Sequence, residues 1–318
     1  MNGVGVGDPG TVAVVGTGVI GASWAALFLA GGHDVVAHDP APGAERRLRE
    51  AVAQAWPTLR RLGLAGGASP QRLTFTADLA AAVAEARFVQ ESGPERIELK
   101  QRLFADLDAA TPVDTVIASS SSGLTPSQLQ EMCGRAPERV LVGHPFHPAH
   151  LIPLVEVVPG ARTDPAAVEQ AMAFYTGLGK RPIHVRQELP GHVTNRLQAA
   201  LWQEAYSLVE RGVVSVADVD AAICHGPGLR WALLGPLVNQ HLSGGAGGLA
   251  HTLAHLGPPA EEWMKDLRPA RLSPTLVAQL VSGVDDELAD LDQAELVAQR
   301  DELLVALLQH KRDHRTLP

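Results

Sequence analysis

His144 and Glu156 stand twelve residues apart, the first just beyond a short apolar run and the second inside another. A histidine held by a carboxylate is a tuned general base, with one ring nitrogen committed to the acid and the other free to exchange a proton. Ser122 follows the run 115–118, and Asn195 follows the Pro190-Gly191 step. Spacing alone leaves two readings open. A lone histidine is more often structural, and Glu156 could be a solvated strand residue. A second pattern is more specific. Gly16-Thr17-Gly18-Val19-Ile20-Gly21 matches G-x-G-x-x-G, and Asp39 stands 18 positions after Gly21. Gly16 permits a tight turn, Gly18 lets the backbone approach a pyrophosphate, and Gly21 lets the following helix pack on its strand. That helix N-terminus, with Val19 and Ile20, would bind the diphosphate. Asp39 would accept hydrogen bonds from the adenosine ribose diol and repel a 2′-phosphate. NAD is therefore the expected cofactor.

These residues need particular elements to position them. Residues 11–15 form a β-branched run that ends at Gly16 and reads as a buried parallel strand. Further strand-like runs cover 34–38, 87–90, 115–118, 140–142, 154–158 and 182–185. Helices are expected at 22–31 and 44–62, and helical patterns lie between several of the strands. Alternation of this kind implies a parallel, doubly wound sheet of the Rossmann type, in which the carboxyl ends of the strands meet at a ligand crevice. Ser122 and His144 would converge there. The pattern changes at Pro190-Gly191, beyond which no strand is expected. Leu197, Leu201, Ala205 and Leu208 share one helical face, another helix starts near Ser215, and 242–249 is a glycine-rich loop. Residues 293–311, with Leu296, Leu303, Leu304 and Leu307, read as an amphipathic terminal helix. The expected organisation is a dinucleotide-binding α/β domain over 1–189 and an all-α domain over 190–318; that the second binds substrate and forms a dimer is what the family resemblance carried by the motifs below implies.

Composition narrows the function classes. With 318 residues, 46% of them hydrophobic, the chain can build two cores. Its net charge of −9 is no footprint for nucleic acid or anionic membrane. No apolar run approaches the ~18 residues that span a bilayer. Met1 to Gly10 lacks a basic stretch followed by an apolar one, so no secretory signal is expected. Two distant cysteines, Cys133 and Cys224, fit a reducing, cytoplasmic setting. His144, His147 and His150 lie three apart, but Pro145 and Pro148 forbid a helix through them, and no metal site is expected.

Several motifs in order carry a family resemblance. They are the Gly16 fingerprint, Gln90-Glu91-Ser92-Gly93-Pro94-Glu95 with Lys100, Ser119-Ser120-Ser121-Ser122-Gly123-Leu124, Gly143-His144-Pro145-Phe146-His147-Pro148, residues 153–158, Gly191-His192-Val193-Thr194-Asn195-Arg196-Leu197 and Gly228-Leu229-Arg230-Trp231. Together they resemble the 3-hydroxyacyl-CoA dehydrogenase family over nearly the whole chain, above all its short members that act on L-carnitine or L-gulonate, the latter related to lambda-crystallins. The resemblance implies an NAD-dependent oxidoreductase that interconverts a 3-hydroxy acid, or its acyl ester, and the 3-keto form. It places the catalytic dyad on His144 and Glu156, the active-site serine on Ser122 and the asparagine on Asn195. It places cofactor contacts on Asp39, Glu95, Lys100 and Ser122. One position departs: His147 stands where the family has an asparagine beside the nicotinamide.

The substrate is less determined. Relatives that use CoA esters carry a long basic hairpin after the second strand. Here the equivalent, 44–67, is short, with five arginines that read as a solvated helix face. Arg230 could pair with a free carboxylate, and Trp231 could line the pocket. Trp202, Tyr206 and Trp231 could wall a trimethylammonium group. The sequence around Asn195 is closer to the gulonate and acyl-CoA members than to the carnitine enzymes. Ketoreductases that reduce polyketide β-keto acids run the same chemistry in reverse. A non-catalytic, crystallin-like protein would not need Ser122, His144, Glu156 and Asn195 together.

Overall fold

The computed structural model describes residues 10–314; the expectation about the N-terminal stretch rests on residues 1–9, outside that range. The strands are Thr11–Val15 (β1), Asp34–His38 (β2), Leu73–Thr76 (β3), Phe88–Glu91 (β4), Val116–Ser119 (β5), Val140–Pro145 (β6), Leu154–Pro159 (β7) and Arg181–His184 (β8). The helices of the same unit are Val19–Ala30 (α1), Ala44–Leu62 (α2), Leu79–Val83 (α3), Ile97–Ala110 (α4), Pro126–Leu129 (α5) and Pro165–Gly177 (α6). There follow Thr194–Glu210 (α7), Val216–Cys224 (α8), Pro227–Trp231 (α9), Pro236–Ser243 (α10), Gly248–Asp266 (α11), Pro274–Glu287 (α12) and Gln293–Asp313 (α13). The chain divides into two units after Asn195.

In the first unit all eight strands join one sheet in the order β3-β2-β1-β4-β5-β6-β7-β8. The order reverses between β1 and β4, and such a switch point is where open α/β sheets bind ligands. Central strands are apolar on both faces because helices cover both. Helix α1 is apolar all round, with Gly21 to Ala30 buried, so it lies inside the unit rather than on its surface. Helix α2 is amphipathic. It buries Leu48, Val52 and Leu59, and on its outer face Arg46 pairs with Glu50 at 3.0 Å and Arg49 with Glu45 at 2.8 Å. Its arginines thus include a solvated, mutually paired face.

Two features of the sheet were not anticipated. Strand β3 is short and half-buried, with no strong periodicity to announce it. More consequentially, β7 runs antiparallel to β6, whereas every other pairing is parallel. The eight-residue connection 146–153 is too short for a helical crossover, so the chain must turn back on itself.

The second unit is helical, with no strand among its described residues. Ser215 caps α8 through a reciprocal capping box with Asp218, as the helix-start signal implied. The glycine-rich stretch is partly helical, since α11 already begins at Gly248. The terminal helix α13 exists, but its expected leucine face is not buried: Leu296 and Leu303 are exposed, while Val305 is buried. Leu197 and Leu201 on α7 are exposed too.

Candidate active site

The antiparallel register sets His144 directly opposite Glu156. Directly opposed residues of such a pair project to the same face, so the two side chains must meet. His144 Nδ1 lies 2.8 Å from Glu156 Oε2, with Glu156 wholly buried and His144 nearly so. The other carboxylate oxygen, Oε1, accepts from the amides of Val193 at 3.0 Å and Thr194 at 2.9 Å, and from Thr194 Oγ1 at 3.2 Å. Glu156 therefore caps the start of α7, whose first amides have no partner within the helix. Burial pushes its carboxyl up, but hydrogen bonds from His144, Thr194 and Val193 more than reverse this and hold it below the usual range. A buried anion so supported can orient an imidazole and balance an imidazolium. The ring's Nε2 is left as the nitrogen available for proton exchange.

Ser122 sits on the exposed loop after β5. Glu95 holds that loop: its Oε1 accepts from Ser121 Oγ at 2.6 Å, Gly123 N at 3.0 Å and Ser122 N at 3.1 Å. Asn195, in the first turn of α7, donates to the Ser122 carbonyl at 3.2 Å. Ser122, Asn195, Glu95 and the dyad thus form one connected constellation, built from the ends of β4 to β7 and the start of α7. Burial acts upward on Glu95, and its hydrogen bonds to Ser121 and Gly123 bring it below the usual carboxylate range.

The glycine turn follows β1. Gly16 has φ of 87°, and a Cβ there would stand 2.7 Å from the backbone nitrogen of Gly93. A Cβ on Gly21 would run into the Gly16 carbonyl. A Cβ on Gly18 would meet nothing within 4 Å, so the space above that residue is open. Two glycines are thus required by the chain's own packing, and the third borders open space at the N-terminus of a twelve-residue helix. A diphosphate fits such a place. Val19, in the first turn, is exposed, and Ile20 packs at the edge of the core. Asp39, at the end of β2, accepts from Thr17 N at 2.8 Å and Ala41 N at 2.9 Å. Those bonds outweigh its partial burial and hold it below its ordinary value. The carboxylate is ionised and tied to the turn.

Lys100 is placed differently from expectation. Its side chain is only 1% exposed, and its ammonium is bidentate on the buried Glu91 at 2.8 Å, with Glu95 at 3.7 Å. Glu91 also accepts from Ser119 Oγ and from the amide of Gly93, the residue against the Gly16 turn. His147 is exposed on the loop between β6 and β7. The three spaced histidines do not converge: His144 meets Glu156, and His150 bonds Ser23 at 2.7 Å. Among the described residues no group of three such donors could hold a metal. Arg230 and Trp231 lie exposed on α9 of the helical unit.

The structure adds residues that sequence reasoning passed over. Tyr175 is fully buried and donates to Gln90 at 2.7 Å; Gln90 in turn donates to Ser120 and to the Gly143 carbonyl. A Cβ on Gly143 would collide with the Tyr175 hydroxyl, which explains a glycine next to His144. Lys180 donates to the carbonyls of Ala149 and Ile152 and lies 5.2 Å from the Trp24 ring, tying down the loop that links His144 to Glu156. Burial pushes its ammonium down to about 7. Gln90 lay within a motif, but nothing in the spacing of Tyr175 or Lys180 announced them.

Residues 11–189 match the model of the 3-hydroxyacyl-CoA dehydrogenase NAD-binding domain, and 191–280 match that family's C-terminal domain. An L-carnitine dehydrogenase of Streptomyces griseus is 52% identical over 95% of this chain and 90% of its own. One of Bacillus cereus is 46% identical over 97% and 94%. Among solved structures, an NAD⁺-dependent dehydrogenase of 5-formyl-3-hydroxy-2-methylpyridine 4-carboxylic acid superposes with a TM-score of 0.82 at 29% identity, covering 95% of this chain and 98% of its own.

Proposed function

Because the chain belongs to the 3-hydroxyacyl-CoA dehydrogenase family and is thus an NAD-dependent oxidoreductase of 3-hydroxy compounds, we propose that it oxidises a free 3-hydroxy acid of the L-carnitine type through His144 and Glu156. The observation that carries the reaction is the buried His144–Glu156 contact of 2.8 Å. The substrate class is supported by the identity to L-carnitine dehydrogenases over almost the whole chain, which outweighs the local likeness around Asn195 to other members.

NAD, when bound, supplies the hydride acceptor for C3. The backbone of Gly16 to Gly21 would hold its diphosphate, and Asp39 its adenosine ribose. His144 Nε2 takes the hydroxyl proton as the C3 hydrogen leaves. Nδ1 keeps its own proton on Glu156, which stays ionised and balances the imidazolium rather than accepting a proton. Ser122 and Asn195 hold the reacting oxygen, through bonds that strengthen as charge builds on it. Lys100 acts indirectly. Through Glu91 and Glu95 it fixes the glycine turn and the serine loop, instead of touching the cofactor. By the family resemblance, His147 would stand beside the nicotinamide in place of an asparagine. The helical unit, taken by itself, offers Arg230 for a carboxylate and the aromatic faces of Trp202, Tyr206 and Trp231 for a quaternary ammonium group.

The helical unit has few buried residues and many exposed large apolar ones, and a groove of about 510 Å³ lined by Trp202, Val209, Ile223 and Val284. This supports a homodimer formed through that unit. The unpaired thiols of Cys133 and Cys224 accord with a cytoplasmic location. A ketoreductase would run the same proton transfer in reverse with the same residues. The test is initial-rate assay with NAD on L-carnitine, L-gulonate, 3-hydroxybutyrate and its CoA ester, and with NADH on a bicyclic β-keto acid. L-carnitine should give the highest kcat/KM. A higher value for the CoA ester or the polyketide mimic would overturn the assignment.

A further inference from the structure

The turn that leads from the sheet into α7 carries a buried histidine that the proton transfer does not use. His192 has φ of 50°, the one non-glycine residue at positive φ among those described. Such a backbone is disfavoured for a bulky side chain and persists only where its surroundings over-determine it. The surroundings are specific. The ring is fully buried, its Nε2 lies 3.1 Å from the Ser121 carbonyl, and its centroid is 5.4 Å from that of His144. Since a carbonyl only accepts, Nε2 carries the proton. Nδ1 then holds a buried lone pair, and it has no hydrogen-bond partner. Burial, joined by the nearby His144, holds the imidazole below the ordinary histidine range against the opposing pull of the Ser121 carbonyl, so the ring stays neutral.

What this conformation aims is informative. The next two amides, of Val193 and Thr194, both point at Glu156 Oε1. The side chain of the following residue, Asn195, reaches the Ser122 carbonyl. The carbonyl that His192 itself holds belongs to Ser121, one residue before the active-site serine. One five-residue turn therefore grips the serine loop at two places and the carboxylate at one.

We propose that His192 is a positioning residue that locks the serine loop and the His144–Glu156 pair into one register, a role that rests on reading His144 as the acid–base group. Its ring pins the turn to the loop, and its left-handed backbone turns two amides onto Glu156. Without the ring's hydrogen bond the turn relaxes, and Ser122 and Glu156 lose their fixed separation.

The test compares His192→Asn with His192→Gln in the full-length enzyme. Asparagine tolerates the left-handed backbone but is too short to reach Ser121. Glutamine places an amide donor near the position of Nε2. His192→Asn should lower kcat about tenfold, the equivalent of one lost hydrogen bond, with NADH affinity unchanged. His192→Gln should recover most of that loss. In a Glu156→Gln background, His192→Asn should cost clearly less, because both act through the same carboxylate. Wild-type kcat in His192→Asn would overturn the proposal, as would equal losses of kcat and NADH affinity in both variants. His144→Gln, assayed alongside, separates the two readings. If it alone abolishes turnover while His192→Asn is wild-type, only the role of His192 fails; if His144→Gln is itself active, the acid–base assignment fails.

Discussion

At the scale of single residues, the chemistry turns on one proton. Oxidation of C3 leaves alkoxide-like charge unless a base removes the hydroxyl proton, and general acid–base help is worth about 10²–10⁴-fold. His144→Gln is expected to lower kcat by that order and to leave NADH binding, followed by fluorescence, nearly unchanged. Glu156→Gln should cost less. It keeps a hydrogen-bond partner for Nδ1 but removes the counter-charge, so the pH midpoint of kcat should move down. A cofactor prediction belongs to the same scale. Asp39 is ionised and tied to the glycine turn, where it would meet the ribose. A 2′-phosphate there would face a fixed negative charge, so titration should show clear preference for NADH over NADPH. Asp39→Ser should narrow it, mainly by improving NADPH binding.

At the scale of elements, the glycine turn separates two demands that one motif combines. Gly21 is packed against the Gly16 carbonyl, which is backbone and cannot move aside. Gly21→Ala should therefore lower the melting temperature as well as cofactor affinity. Gly18 has φ of −64°, accessible to any residue, and open space where a Cβ would go. Gly18→Ala should leave the melting temperature near wild type and still weaken NADH binding, because the space it fills is the one proposed for the cofactor's diphosphate. Equal thermal losses in both variants would show that the open space has no cofactor role. The β6–β7 hairpin makes a similar point. Its register, not the distance along the chain, is what joins His144 to Glu156.

At the scale of the whole molecule, assembly and pH response can be argued. Trp263, Met264, Leu237 and Leu303 are each at least 66% exposed in the helical unit, far more apolar surface than a solitary helical domain leaves in water. Light scattering at micromolar concentration should give the mass of a dimer; a clean monomer would leave that surface unexplained. The acid limb of stability follows from four carboxylates. Burial raises Asp39, Glu95, Asp108 and Glu156, and their hydrogen bonds more than reverse it, so each folded value lies below the ordinary one. Folding thus favours the ionised forms. Their contribution is fully present above the unfolded values, near about pH 4, and is lost as pH falls through the folded ones. Melting temperature should drop between about pH 5 and pH 3. Asp108 is bonded to Arg139 at 3.0 Å away from the candidate site, so Asp108→Asn should flatten that drop while lowering stability at neutral pH.

The amino-acid sequence by itself determined what is local. A strand, a glycine turn, an apolar helix and a terminal Asp39 lie within thirty residues, and their physics is written in backbone freedom and residue type. Seven of the eight strands, the helices α2 and α8, and the change to helical structure after β8 were legible for the same reason: period and capping act over a few residues. What only the tertiary structure decided is long-range. Strand direction is invisible to a period of two, so the antiparallel pairing of β6 and β7 was not read, although it creates the dyad contact. Lys100 carries the right charge for a cofactor contact, yet burial against Glu91 commits it to holding two loops. Tyr175 and Lys180 had no pattern of their own, and His192 lay in a motif that assigned it no role, because each acquires its role from carbonyls and side chains that sequence separates by tens of residues. Likewise the leucines of α13 are spaced as a core face, but spacing cannot say whether a helix finds its partner within its own chain.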